Sequence, residues 1–152
     1  MAIRVGVVLP RRPADLGEWL ADAAAFDAAG ADALWVDVDA GSGLDTVTLT
    51  AALAAVTSRA TLIARMPKGV AAEAVSTIRR LSRGRYVPAE EAGRWVRVPP
   101  PESRVQWRET LSNQDGDQDG DGVLVDADSR LLDLLRNPDD PGERHDLELA
   151  QG

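Results

Sequence analysis

An α/β fold built on parallel strands is predicted for this sequence, and three observations carry the prediction. The stretch 19–37, WLADAAAFDAAGADALWVD, joins an alanine-rich amphipathic helix, closed by Gly30, directly to the apolar run Ala33-Leu34-Trp35-Val36. A helix that ends in a glycine turn and hands over to a short run buried on both faces is half of a βαβ crossover. The same strand–helix alternation recurs three times within residues 3–85, each time with a short connection, and that rhythm selects a parallel sheet.

The elements follow in order. Ile3–Leu9 is a β-branched run stopped by Pro10 and Pro13, and Asp15 with Glu18 offers a capping box for the Trp19 helix. A second strand covers Ala33–Val38 and leaves Asp37 and Asp39 ahead of a Gly41-Ser42-Gly43 turn. Asp45 caps a helix over Thr46–Val56, and Thr61–Ala64 is the third strand. Beyond Pro67, Ala71, Ala74, Val75, Ile78 and Leu81 fall at helical spacing, so a third helix runs to Leu81 and breaks near Gly84. From Arg85 the rhythm weakens. Tyr86-Val87-Pro88 is a fragment of a fourth strand, Ala89–Arg94 is polar, and Trp95–Val98 is a strand closed by three prolines. Ser103, with Gln106 in the reciprocal position, caps a helix that turns Trp107 and Leu111 inward. After the turn-rich segment 113–122 come a last strand over Val123–Val125 and a helix over Ser129–Arg136. The domain is set at 1–137, in two groups of units, 3–85 and 95–137, with a polar tail over 138–152. One echo stands out: Asp32-Ala-Leu-Trp-Val-Asp37 and Asp121-Gly-Val-Leu-Val-Asp126 repeat a pattern, and both are expected to be equivalent strands of one sheet.

Composition excludes several functions. With no cysteine there is neither a disulfide nor a thiolate, and the single histidine, His145, lies in the polar tail, so no histidine-based triad or zinc site is available. No apolar run approaches the roughly 20 residues of a membrane span. Met1 is not followed by a basic and apolar leader, and a soluble cytoplasmic protein is the expectation. The net charge of −8 is unevenly spread: residues 1–58 hold three basic and eight acidic side chains, 59–108 eleven and four, and 109–152 three and thirteen. An acidic whole with an acidic end argues against nucleic acid as partner.

Three stretches carry a family resemblance. Residues 24–36, AAFDAAGADALWV, look like the first helix and second strand of the luciferase-like monooxygenases; 53–62, LAAVTSRATL, look like their second helix entering strand three; and 78–85, IRRLSRGR, resembles their Leu-Ser-Gly-Gly-Arg turn, with Arg83 where the first glycine stands. The order matches over more than half the chain. That resemblance implies an incomplete or compacted (β/α) TIM-barrel-like fold, because the chain is shorter than the roughly 250 residues of a full barrel and jumps from the early units towards the last ones. It also implies a flavin- or deazaflavin-dependent oxidoreductase, with FMN or deazaflavin as cofactor and a small molecule as substrate. The alternative is a non-catalytic shortened relative acting as an oligomeric binding module, since a gap in the strand order leaves sheet edges that a second copy could cover.

Barrel enzymes place chemistry at the C-terminal ends of their strands. Here those ends offer Asp37, Asp39, Arg65, Asp126 and Asp128. Arg65 with loop amides is the candidate for a flavin phosphate, and Asp37 and Asp39 for orienting substrate or cofactor. The competing reading has the aspartates capping turns and helices. Asp117-x-Asp119-x-Asp121-Gly122, with Leu124 eighth and Asp128 twelfth, also fits a calcium loop, against a plain solvated acidic loop. Trp19, Trp35, Trp95 and Trp107 are expected in the core.

Overall fold

The computed structural model describes residues 3–115 and 120–138. Six strands, β1 (Arg4–Val8), β2 (Ala33–Val36), β3 (Thr61–Ala64), β4 (Tyr86–Pro88), β5 (Trp95–Arg97) and β6 (Gly122–Asp126), form one sheet in the order β4-β3-β2-β1-β6-β5. Every pairing is parallel. Five helices connect or follow them: α1 (Leu16–Ala28), α2 (Thr46–Val56), α3 (Ala72–Leu81), α4 (Arg104–Asp115) and α5 (Ser129–Arg136). The α/β class and the parallel sheet are as the sequence predicts. β2 stops at Val36, two residues early, because the chain turns off into a 3₁₀ turn at Ala40–Ser42 that Asp39 caps.

Caps fall where acidic residues precede helical periodicity. The side chains of Asp15, Asp45 and Asp128 accept from the N–H groups of Glu18 (2.9 Å), Thr48 (2.8 Å) and Arg130 (2.6 Å). Ser103 Oγ accepts from Gln106 N at 3.2 Å, and Gln106 Oε1 accepts in return from Glu102 N at 2.6 Å. α3 ends differently. Arg83 has φ +54° and Gly84 φ +80°, and Gly84 N donates to Arg79 O at 2.9 Å. A side chain with a Cβ is strained in that left-handed turn. Arg83→Gly is expected to raise stability by roughly 0.5–1 kcal/mol, read as a higher Tm, with a fall in Tm as the contrary result.

Read from β5 through β6 and β1 to β4, the strands follow chain order in one direction, with β6 beside β1 and the β4-to-β5 connection passing from one edge to the other. A right-handed crossover stepping always the same way puts its helix on the same face each time. Accordingly α1 packs on α2 and α5, and α2 on α3, in one layer. Between this layer and the sheet lies the core: Val5, Val7, Leu34, Val36, Leu62, Tyr86, Val123 and Val125 from strands, against Trp19, Phe26, Leu49, Leu53, Ile78, Trp107, Leu131 and Leu134 from helices. Trp19 and Trp107 are thus core residues, as expected. Trp35 and Trp95 are not part of that cluster. Alternation along the strands turns them to the opposite face, where the rings meet edge to face at 6.4 Å.

Among the described residues no α-helix covers that second face, yet Ile63 is 1 % exposed and Val8 6 %. Curvature explains the burial. In a flat sheet, β4 and β5 would stand about 24 Å apart, five spacings of ~4.8 Å. Only residues 89–94 join them, three of them in the 3₁₀ turn Ala89–Glu91, and extended chain reaches at most about 3.3–3.6 Å per residue. The connection must also run back along the strand direction. The sheet is therefore curved, and Trp35 on β2 meets Trp95 on β5 across two intervening strands.

The sequence echo proves to be a structural equivalence. Asp32 N donates to Val5 O (2.8 Å) while its Oδ2 accepts from Val5 N (2.7 Å); Asp121 N donates to Arg94 O (2.6 Å) while its Oδ2 accepts from Arg94 N (2.7 Å). Four residues on, Leu9 N donates to Trp35 O and Val98 N to Leu124 O. β1-α1-β2 and β5-α4-β6 are two copies of one βαβ unit. Each is bracketed by an aspartate that satisfies both backbone groups of a residue at the start of the neighbouring strand, Val5 within β1 and Arg94 just ahead of β5.

Among the described residues no helix is long and apolar enough to cross a membrane.

Candidate functional site

The C-terminal strand ends gather all three residues singled out as site candidates, and each has a charged partner from an adjacent strand or its loop. Arg11 Nε lies 3.2 Å from Asp37 Oδ2, and Arg12 pairs with Asp39. Arg65 Nη1 lies 2.9 Å from Glu90 Oε1, and Arg97 pairs with Asp126. These guanidinium–carboxylate contacts tie β1 to β2, β3 to β4 and β5 to β6 at that end of the sheet. Asp39 has a double role: it accepts from Gly41 N at 3.3 Å as the cap of its 3₁₀ turn, and Arg12 beside it holds its carboxyl below the usual range. Asp128 is the α5 cap. Both of these aspartates therefore act as caps.

Sheet register places the remaining side chains. On the helix-free face the topmost row runs Asp126, Val8, Trp35, Ile63, Val87, each opposite the next. Below it run Arg97, Leu124, Gly6, Ala33 and Thr61, and below that Trp95, Gly122 and Arg4. Large and small residues alternate: the Trp95 ring lies against Gly6 and Gly122, and the Arg4 guanidinium sits 4.9 Å from the centre of that ring. Trp95 Nε1 donates to Ala92 O at 2.9 Å; Trp35 Nε1 is buried and has no hydrogen-bond partner among the described residues.

Side chains fill the helix-free face in layers, and the C-terminal strand ends form an exposed mouth above them. Its donor set suits an anion. Arg11, Arg12, Arg65 and Arg97 are 58 %, 74 %, 73 % and 58 % exposed in their side chains. Exposed ion pairs contribute at most about 1 kcal/mol each, so a phosphate displaces a carboxylate partner at little cost. Arg65 and Arg12 are the most exposed of these guanidiniums and could hold a phosphate, and Trp35 in the topmost row is partly exposed. No match to this chain was found among protein-family models or curated proteins.

The acidic loop divides. Asp117 and Asp119 lie outside the described residues. Gly122–Asp126 is a strand paired on both sides, with Asp121 given to Arg94 N and Asp128 to its helix. An extended strand does not wrap a cation as a twelve-residue calcium loop does. Among the described residues no cluster of three metal-binding side chains occurs. His145 also lies outside the described residues.

At the opposite end of the strands is a polar cluster that sequence reading missed. Asp27, 4 % exposed, accepts from Ser58 N (2.8 Å), Arg59 N (2.9 Å) and Ala60 N (2.7 Å). Arg85 donates to Thr57 Oγ1 (3.0 Å) and to the carbonyls of Ala60 (2.9 Å), Thr57 (3.0 Å) and Ala54 (3.2 Å). Both ends of the resemblance motifs, the helix Asp and the turn Arg, thus grip one turn, 57–60. Being at the strands' N-terminal end, the cluster serves stability.

Proposed function

We propose that this chain is a compact (β/α) barrel-type domain of the luciferase-like kind, an oxidoreductase that binds FMN or a deazaflavin at the C-terminal strand ends. The observation that carries the proposal is the strand order. Taken from β5 to β4 it advances one strand at a time in a single direction, as in a barrel, and its one break is bridged by six residues. A doubly wound sheet would reverse direction midway and put helices on both faces. When bound, the isoalloxazine supplies hydride transfer or oxygen activation. The chain's own part is placement: Arg12 and Arg65 bind the anionic end, a rim carboxylate orients the small-molecule substrate, and Trp35 shields one side from water.

Titration with FMN and with a deazaflavin, followed through quenching of tryptophan emission, tests this reading. Saturable quenching at micromolar concentration is expected, because both Trp35 and Trp95 lie under the mouth. Absence of quenching with either, in a protein colourless as purified, overturns it. A second reading draws on the edges β4 and β5, each hydrogen-bonded on one side only. A non-catalytic shortened relative would join a second copy there, giving an oligomer on sizing without flavin affinity.

A further inference from the structure

We infer that Asp126, held by Arg97, reads the lactam or imide edge of a planar heteroaromatic ring seated against Trp35, and that neither Asp37 nor Asp39 makes this contact. The inference rests on the mouth being the ligand site, and it assigns the edge of the ligand that is recognised.

Three observations converge. Asp126 and Arg97 are the one rim pair whose members both project from strands, in the two upper rows of the helix-free face; Asp37 and Asp39 lie beyond the end of β2, and Asp39 is engaged as a cap. Groups on strands are held more rigidly than groups on loops, which suits geometric readout. Asp126 is two strands from Trp35 along one row, about 10 Å by strand spacing, which is the width of a fused-ring ligand. Its side chain is 54 % exposed, and Arg97 takes Oδ1, so among the described residues Oδ2 has no protein partner.

A carboxylate beside a guanidinium presents an acceptor next to a donor. The complementary edge is an N–H beside a carbonyl, as in the pyrimidinedione part of a flavin, a deazaflavin or a pteridinedione. A ring N–H donating to Asp126 Oδ2 and a ring carbonyl accepting from Arg97 would satisfy both, while the ring face lies on the Trp35 indole. Arg97 acts as the positioning residue, because it fixes the rotamer of the carboxylate.

The discriminating probes are riboflavin, 3-methylriboflavin, in which the ring N–H is blocked, and lumazine, a pteridinedione without a flavin ring. Binding is read from probe fluorescence with the full chain and with Asp126→Asn; circular dichroism confirms that the variant is folded, as its exposure leads us to expect. The expected result is that 3-methylriboflavin binds at least about tenfold more weakly than riboflavin, since a hydrogen bond to a charged group is lost, and that Asp126→Asn abolishes this discrimination. Equal binding of the two flavins, or unchanged discrimination in the variant, overturns the inference and leaves the flavin reading in place. Binding of lumazine alone, lost in Asp126→Asn, upholds the inference and overturns the flavin reading. Failure of all three probes to bind overturns both.

Discussion

Replacing Asp27 with alanine is expected to lower the free energy of unfolding by about 3–5 kcal/mol, the range for breaking a buried charged hydrogen-bond network. The carboxylate is the partner of three successive backbone N–H groups at 58–60, and among the described residues no other group accepts from them. The loss should appear as a lower midpoint in urea with unchanged m-value. A fall of less than 1 kcal/mol would show that water satisfies the turn equally well. Burial by itself would raise this carboxyl's pKa, but the N–H groups of Ala60, Ser58 and Arg59 outweigh it, and the group titrates below its ordinary value. The sign follows. With the folded pKa depressed, the unfolded chain binds the proton more tightly. The contribution is then complete above the unfolded value near pH 4 and is lost as pH falls through the folded pKa. Asp27→Asn should therefore flatten the acid limb of the stability–pH curve, and an unchanged limb would contradict the assignment.

The second large effect is expected at Gly122. A Cβ there would lie 2.6 Å from Arg4 O and 2.6 Å from Trp95 Cζ3. Because a main-chain carbonyl in a central pairing cannot move aside, Gly122→Ala must part β6 from β1 or expel the Trp95 ring, at about 2–3 kcal/mol. Near-UV circular dichroism should change with it, since the Trp35–Trp95 edge contact would be lost. Gly6 makes a useful comparison. Its Cβ would meet the end of the Leu124 side chain at 2.7 Å, a group that can rotate, with Trp95 no nearer than 3.1 Å. Gly6→Ala should cost clearly less than Gly122→Ala, and the reverse order would refute this account of the packing.

Much of this architecture is legible in the chain. Period-2 apolar runs bounded by proline and glycine mark β1, β2 and β3; helical spacing marks α1 to α3; an aspartate or serine before each helix marks a cap. These signals are local, acting within one or two turns of chain. The Asp-x₄-Asp echo was visible too, although six residues carried no hint of what the aspartates bind. Their partners, Val5 and Arg94, lie at the start of neighbouring strands, 27 positions away in both cases. Asp27 escaped for the same reason. It looked like one more residue on a helix, and its partners lie 31 to 33 positions on.

Residue types and spacing alone settled that parallel strands alternate with helices, because hydrophobic period and turn chemistry act over a few residues. Strand order, sheet curvature, the two tryptophans on the helix-free face, and the pairing of Asp37, Asp39 and Arg65 with Arg11, Arg12 and Glu90 were decided only by tertiary structure. Each depends on contacts between segments distant in the chain, and a one-dimensional pattern records which face of a strand is apolar without recording what that face will meet.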